Sequence, residues 1–289
     1  MTVLEIVFLA LFWAWMFSAI LFLRNTVLPR VPLAAEPSQF DLEAGTVRFR
    51  AADGMPLEGW KIAKDPAKPW IILCHGMGSN RADLLDIAAG LHLAGFNLFA
   101  FDFRGHGGRG GRTTSFGWLE QRDLEGALAF LGQQPDVPAR PYGIYGISMG
   151  AAVAVSVAAH DDRLGAIAAD SPYTDLGDSL GRHMRLIYPV PRVPFEWFVR
   201  ATYRLRFGVW PEQVSPLAAA GALGERPLLL IQGAEDQRMP VDGAQAIAQA
   251  AGASGELWVI PGAGHLEGFG LDPVRYVARL TQFFTSNLR

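Results

Sequence analysis

The chain opens on an almost unbroken apolar run. From Ile6 to Leu23 it reads IVFLALFWAWMFSAILFL, with Ser18 the single polar residue. At a rise of 1.5 Å per residue this predicts a helix about 27 Å long, close to the hydrocarbon thickness of a bilayer. Residues 24–44 lose the periodicity and carry Pro29, Pro32 and Pro37, which predicts an extended, poorly packed linker. The alternation in TVRFRA (46–51) then predicts a strand, Ala52-Asp53-Gly54 a hairpin turn and MPLEGWKIA (55–63) a second strand. Beyond them the pattern becomes strand, glycine-rich loop, helix, repeated. WIILCH (70–75), FNLFAFD (96–102), YGIYG (142–146), LGAIAAD (164–170), PLLLIQG (227–233) and ELWVIPG (256–262) are short apolar runs of the kind a buried parallel strand shows. Helical spacing separates them at 82–94, 119–134, 149–160 and 241–252, and 273–288 closes the chain. Such alternation predicts an α/β domain over 45–289, a mostly parallel sheet with helices on both faces. Residues 172–215 break the rhythm with prolines, aromatics and six arginines (182, 185, 192, 200, 204 and 206). They read as a short cap-like insertion over one edge of the sheet.

Composition narrows the picture in a few places. With 289 residues and half of them hydrophobic, the chain is long enough for one large α/β domain or two small ones. The net charge of −3 gives no reason to expect nucleic acid as a partner. The single cysteine, Cys74, excludes an intramolecular disulfide and argues against a cysteine-based zinc cluster. Two readings of the N-terminal run stay open, a cleaved secretory signal and an uncleaved anchor. The segment before it carries Glu5 and no Lys or Arg, and the run is longer and more aromatic than a usual signal core, which favours a single-pass anchor at 1–23. Arg24 and Arg30 follow the span and set the expected orientation, with the rest of the chain in the cytoplasm.

Candidate chemistry centres on Gly146-Ile147-Ser148-Met149-Gly150, between a predicted strand and a predicted helix. A serine on so sharp a turn needs small residues two positions to either side, and the following helix aims its first N–H groups at developing negative charge. A serine hydroxyl needs a base. Of the six histidines (75, 92, 106, 160, 183 and 265), His265 follows a late strand in a glycine loop, downstream of a credible acid. That acid is Asp236 in the loop GAEDQRMP, with Asp170, at the end of LGAIAAD, as its rival. The N–H of Met149 and the N–H of Met77, in His75-Gly76-Met77-Gly78, are the candidate oxyanion donors. His75 is expected to bond within its own loop. No phosphate-binding glycine motif and no metal-spaced cluster appears, so no metal or organic cofactor is expected.

Taken together, HGMG (75–78), DFRGHG (102–107), GISMG (146–150), the Asp236 loop and GAGH (262–265) stand in the order found in the α/β-hydrolase superfamily, which residues 45–289 resemble. The resemblance implies an α/β-hydrolase fold and a nucleophile elbow at Ser148. It also implies structural roles for Asp102 and Arg104. The apolar N-terminus, the loop DSPYTDL (170–176) and the insertion are similar to those of membrane-anchored serine hydrolases, a branch with monoacylglycerol lipases and protein depalmitoylases. The implied partner is a small-molecule or lipid-like acyl ester. Tyr188, Phe195, Trp197, Phe198, Tyr203 and Phe207 are candidates either for the wall of an acyl pocket or for plain packing of a lid. The insertion's arginines are candidates for lipid headgroup contact or for a solvated face. A peptidase or amidase with the same triad is the second enzymatic reading, and a membrane-tethered ligand-binding protein is the non-enzymatic one. The oligomeric state is not legible.

Overall fold

A computed structural model describes residues 2–187 and 192–288. The elements run α1 (Val3–Thr26), β1 (Gly45–Arg50), β2 (Pro56–Ile62), β3 (Trp70–Cys74), α2 (Leu85–Leu93), β4 (Asn97–Phe101), α3 (Glu120–Gly132), β5 (Tyr142–Ile147) and α4 (Met149–Ala158). They continue β6 (Leu164–Asp170), α5 (Leu176–Ile187), α6 (Arg192–Phe207), α7 (Pro216–Ala220), β7 (Leu228–Gly233), α8 (Val241–Ala250), β8 (Gly255–Ile260), α9 (Gly268–Leu271) and α10 (Pro273–Asn287). The strands form one eight-stranded sheet in the order β1-β2-β4-β3-β5-β6-β7-β8. β1 and β2 are antiparallel to their neighbours, and the strands from β4 to β8 along this order run parallel.

The period of two along each central strand divides its side chains between two cores. Trp70, Ile72 and Cys74 of β3, with Phe99 and Phe101 of β4, face the layer that holds α3 and α4. Ile71 and Leu73, with Leu98 and Ala100, face the layer that holds α2 and α10. Both faces are therefore covered, and all five residues of β3 are buried. Chemistry on such a sheet belongs at the carboxyl ends of its strands, where the loops are free to vary. The insertion after β6 supplies α5 and α6, which roof this carboxyl edge.

A third, smaller core joins this roof to the N-terminal helix. It contains Phe22 of α1 with Phe116, Tyr173, Leu176, Tyr203 and Met239. Phe22 meets the rings of Phe116 and Tyr203 at 6.0 Å each. Ser18, Ala19, Phe22 and Thr26 are the buried residues of α1, one stripe at helical spacing, and the helix packs against α6. The segment read as a linker is extended over residues 27–36 but is tied to the domain at several points. Thr114 N–H donates to Thr26 O at 2.9 Å and Leu28 N–H donates to Arg112 O at 2.9 Å. Asn80 Nδ2 donates to the carbonyls of Val31 and Pro32 at 3.2 Å each. Leu33, Ala35 and Phe40 lie on the core, and Leu42 is buried in it. The prolines leave this segment mostly irregular, apart from a 3-10 turn that Pro37 opens (Pro37–Phe40), yet its apolar side chains and backbone groups find partners on the domain.

Candidate active site

The turn after β5 carries Ser148 at φ 50° and ψ −115°, a backbone conformation that costs a non-glycine residue roughly 1–3 kcal/mol. The glycines around it make the turn possible. A Cβ on Gly146 would stand 2.5 Å from Gly150 O, and one on Gly150 would stand 2.3 Å from Cys74 O. Both obstacles are backbone and cannot swing away. Ser148 N–H donates to Asp170 O at 2.8 Å, which ties the turn to the neighbouring strand end. Met149 is the first residue of α4, so its N–H has no partner within the helix.

His265 lies between Ser148 and Asp236. Its Nδ1 is 2.7 Å from Asp236 Oδ2 and its Nε2 is 3.1 Å from Ser148 Oγ. Asp236 Oδ2 accepts a hydrogen bond from Nδ1–H, which fixes the tautomer with the Nε2 lone pair facing the serine hydroxyl. Asp236 is held from every side. Oδ1 accepts the N–H groups of Arg238 (2.8 Å) and Met239 (2.9 Å), and Oδ2 also accepts Gln232 Nε2 (3.0 Å). Burial pushes this carboxyl up, but the bonds from His265, Met239 and Arg238 outweigh it and hold the group below its ordinary range. The two loops that meet here are stitched together, since Ala234 N–H donates to Ile260 O and Glu235 N–H to Ala263 O, each at 2.9 Å. Gly233 allows that approach, because a Cβ there would fall 2.4 Å from Gly264 O.

Asp170, the rival acid, is turned elsewhere. It accepts Tyr276 Oη at 2.6 Å and Ser171 Oγ at 2.7 Å. Complete burial pushes its pKa up, only partly opposed by these bonds and by His265. Two carboxylates on adjacent strand ends thus have opposite shifts.

The loop of Met77 lies against Ser148. A Cβ on Gly76 would be 3.6 Å from Ser148 Cβ, and the Met77 side chain lines the pocket beside the serine. Two buried histidines fix this loop in a reciprocal way. His75 Nδ1 donates to Gly76 O at 2.7 Å, and its Nε2 accepts Phe103 N–H at 3.0 Å. His106 Nδ1 donates to Arg104 O at 2.8 Å, and its Nε2 accepts Gly78 N–H at 3.0 Å. The expectation for His75 covers its Gly76 bond but not the bond across to the β4 loop. Asp102 and Arg104 are enclosed in ion pairs: Asp102 with Arg81, and Arg104 with Asp53 at 2.8 Å and Asp123 at 2.6 Å.

Above Ser148 is a cavity of about 190 Å³. Its walls come from Met77, Met149, Phe116, Tyr173 and Met239 of the domain, and from Leu180, Met184, Phe195 and Val199 of the roof. Of the insertion aromatics, Phe195 lines the cavity, Tyr203 packs beneath α1, and Trp197 is exposed. Tyr188 lies outside the described residues. Four of the insertion's arginines pair with carboxylates, Arg182 with Asp178, and Arg185, Arg192 and Arg200 with Glu196. Three of them share the single carboxylate of Glu196, so these pairs leave the insertion with a net positive charge. Gln232 and Phe116 were not singled out from the sequence, and α1 was read as an anchor and not as part of the cavity wall. Gln232 sits at the end of β7 beside the acid loop, and a polar residue in an otherwise apolar strand was the signal available.

A family model described as "Serine aminopeptidase, S33" matches residues 65–208. The structure is similar to that of the Pyrococcus furiosus esterase Pf2001, with a TM-score of 0.75 at 28% identity, covering 91% of this chain and 100% of that one. The chain belongs to the α/β-hydrolase superfamily. Among curated proteins, this α/β-hydrolase is 33% identical to Bacillus subtilis YqkD over 196 residues, 66% of this chain and 63% of that protein. It is 26% identical to Schizosaccharomyces pombe bem46 over 149 residues, 50% of this chain and 49% of that protein. The matched part of YqkD is therefore under two thirds of its length.

Proposed function

We propose that this α/β-hydrolase is a membrane-anchored serine hydrolase that cleaves carboxylic esters or thioesters of hydrophobic acyl groups through an acyl-enzyme. The observation that carries the reading is the continuous hydrogen-bond chain Ser148 Oγ–His265 Nε2 (3.1 Å) and His265 Nδ1–Asp236 Oδ2 (2.7 Å) beneath an apolar cavity. Ser148 Oγ attacks the acyl carbonyl while His265 takes its proton, and Asp236 stabilises the imidazolium. The N–H of Met149 meets the oxyanion together with that of Met77, since the Gly78 N–H is committed to His106. His265 then protonates the leaving oxygen or sulfur. Water, deprotonated by the same histidine, attacks the acyl-serine and releases the acid. The reading needs no metal or cofactor.

An ester is favoured over the amino-terminal peptide suggested by the family model's description. Among the described residues lining the cavity there is no Asp or Glu to meet a peptide's free ammonium. α1 is long and apolar enough to cross a membrane, and Arg24 and Arg30 after it favour a cytoplasmic catalytic domain. The test is fluorophosphonate labelling of the full chain in detergent, followed by hydrolysis of p-nitrophenyl acyl esters beside peptide amides. Labelling should vanish in Ser148→Ala. Labelling that persists in that variant would mean another nucleophile, and an unlabelled wild type would return the chain to the ligand-binding reading.

A further inference from the structure

The N-terminal helix does more than end near the catalytic domain. Phe17, Leu21, Phe22 and Asn25 of α1 line the same cavity as Ser148. Remove α1 and that cavity loses one wall. Of the exposed lining residues, Phe17, Met77 and Ile187, at 54%, 46% and 63% exposed, are apolar, and Asn25 is the polar one. A mouth rimmed this way is poorly suited to water. Depth follows from the helix itself. Phe17 lies six residues before Leu23, the end of the apolar run, or about 9 Å along the axis. When the run Ile6–Leu23 is immersed in hydrocarbon, the cavity mouth beside Phe17 is immersed with it. Val3–Trp13, all exposed, extend about 16 Å further. The tips of α5 and α6 expose Leu186 and Trp197, apolar surface suited to the same layer.

We infer that α1 is the bilayer-side wall of the acyl pocket, and that the substrate is a long-chain acyl ester dissolved in the membrane and admitted laterally past Phe17. This rests on the serine-hydrolase reading above and adds the source and class of the substrate. A helix that only anchored the domain would leave chain-length preference untouched.

The experiment uses the full chain reconstituted in vesicles of ether-linked phosphatidylcholine, which offer no ester of their own. Hydrolysis of 4-methylumbelliferyl oleate and butyrate is compared for wild type, Leu21→Trp and Ile20→Trp. Leu21 lines the cavity, whereas Ile20, one residue away, is 53% exposed on another face of the helix. Leu21→Trp should lower the oleate-to-butyrate ratio of kcat/KM by about tenfold or more. Ile20→Trp should leave the ratio within about twofold. Fluorophosphonate labelling reports folding of each variant. If Leu21→Trp is not labelled, Leu21→Ala takes its place and should move the optimum of a C4–C16 ester series to longer chains. At fixed bulk oleate ester, added vesicle lipid should slow wild-type turnover by surface dilution. A ratio or optimum that does not move at Leu21, an equal shift in both tryptophan variants, or a rate that follows bulk concentration alone would overturn the inference while leaving the serine hydrolase intact. Wild type that is neither labelled nor active on either ester would overturn the hydrolase reading, and this inference with it.

Discussion

Mild acid should destabilise this protein through His75, and the size of the effect follows from its surroundings. Both ring nitrogens are committed in the neutral form, with Nδ1–H donating to Gly76 O and Nε2 accepting Phe103 N–H. A second proton on Nε2 would confront the Phe103 N–H with another donor. Burial first, then the neighbouring His106 ring, which would repel a second charge, and the Arg81 guanidinium hold the pKa well below the ordinary 6.5 against the pull of the Gly76 carbonyl. In the unfolded chain the same ring takes a proton near pH 6.5. Below that pH the unfolded state therefore binds more protons than the folded state, and stability falls as pH falls. Above it this histidine contributes no slope. At pH 5, 1.5 units below the unfolded pKa, the loss approaches about 2 kcal/mol if the folded ring is still neutral. Asp102 and Asp170, raised by burial, act in the opposite direction, so the comparison must be with a variant that keeps them. His75→Gln retains a carbonyl acceptor for the Phe103 N–H and does not titrate. Urea unfolding in mild non-ionic detergent, followed by the fluorescence of the eight tryptophans, gives stability at pH 8 and pH 5 for both proteins. Wild type should lose about 2 kcal/mol more than His75→Gln between the two. Equal losses would refute the claim that the fold keeps this ring neutral.

Four substitutions probe the rest of the site. Asp236→Asn should cut the rate of fluorophosphonate labelling by about a thousandfold or more through loss of the oriented imidazole, whereas Asp170→Asn should cost less than about tenfold; comparable losses would mean that the acids are misassigned. Gly150→Ala puts a methyl 2.3 Å from Cys74 O and 2.5 Å from His75 O. It should lower stability by about 2–3 kcal/mol and labelling by about 100-fold as the Met149 N–H shifts, and wild-type labelling in this variant would show that the crowding is harmless. Phe22→Ala removes a ring that is 5% exposed and should cost about 3 kcal/mol, read as a lower Tm; a Tm unchanged within error would mean that α1 is not docked on the domain.

The sheet was legible because its strands are short apolar runs bounded by glycine. β3, with every residue buried, is the extreme case, and only the ends of elements differ from expectation by a residue or two. The turn at Ser148 was legible because its crowding leaves no residue but glycine at 146 and 150. The choice between the two candidate carboxylates was harder. Asp170 and Asp236 both follow apolar strands, and sequence spacing alone does not say which carboxylate turns toward His265. That is decided by partners far away in the chain, Tyr276 for the first and His265 for the second. The histidine clasp between the 75–78 and 102–107 loops was hidden for the same reason, since each bond links positions 28 residues apart.

The N-terminal helix shows a different kind of concealment. A surface helix announces its buried face by contrast with polar residues on the other side, but α1 is apolar nearly all the way round, so its packing stripe has no background to stand against. Ser18, Ala19, Phe22 and Thr26 carry the only trace, in their size and polarity. Ser18 and Ala19 are small and permit close approach to α6, as small residues do between helices in membranes. Thr26 and Ser18 satisfy their hydroxyls within the helix, on Leu23 O at 2.7 Å and Ala14 O at 2.8 Å, so neither adds an unpaired polar group to a buried face. Phe22 supplies the bulk. The hydrophobicity that makes the segment a candidate anchor thus also suits it to close an apolar cavity, and that shared requirement is what the variants at Leu21 and Ile20 separate.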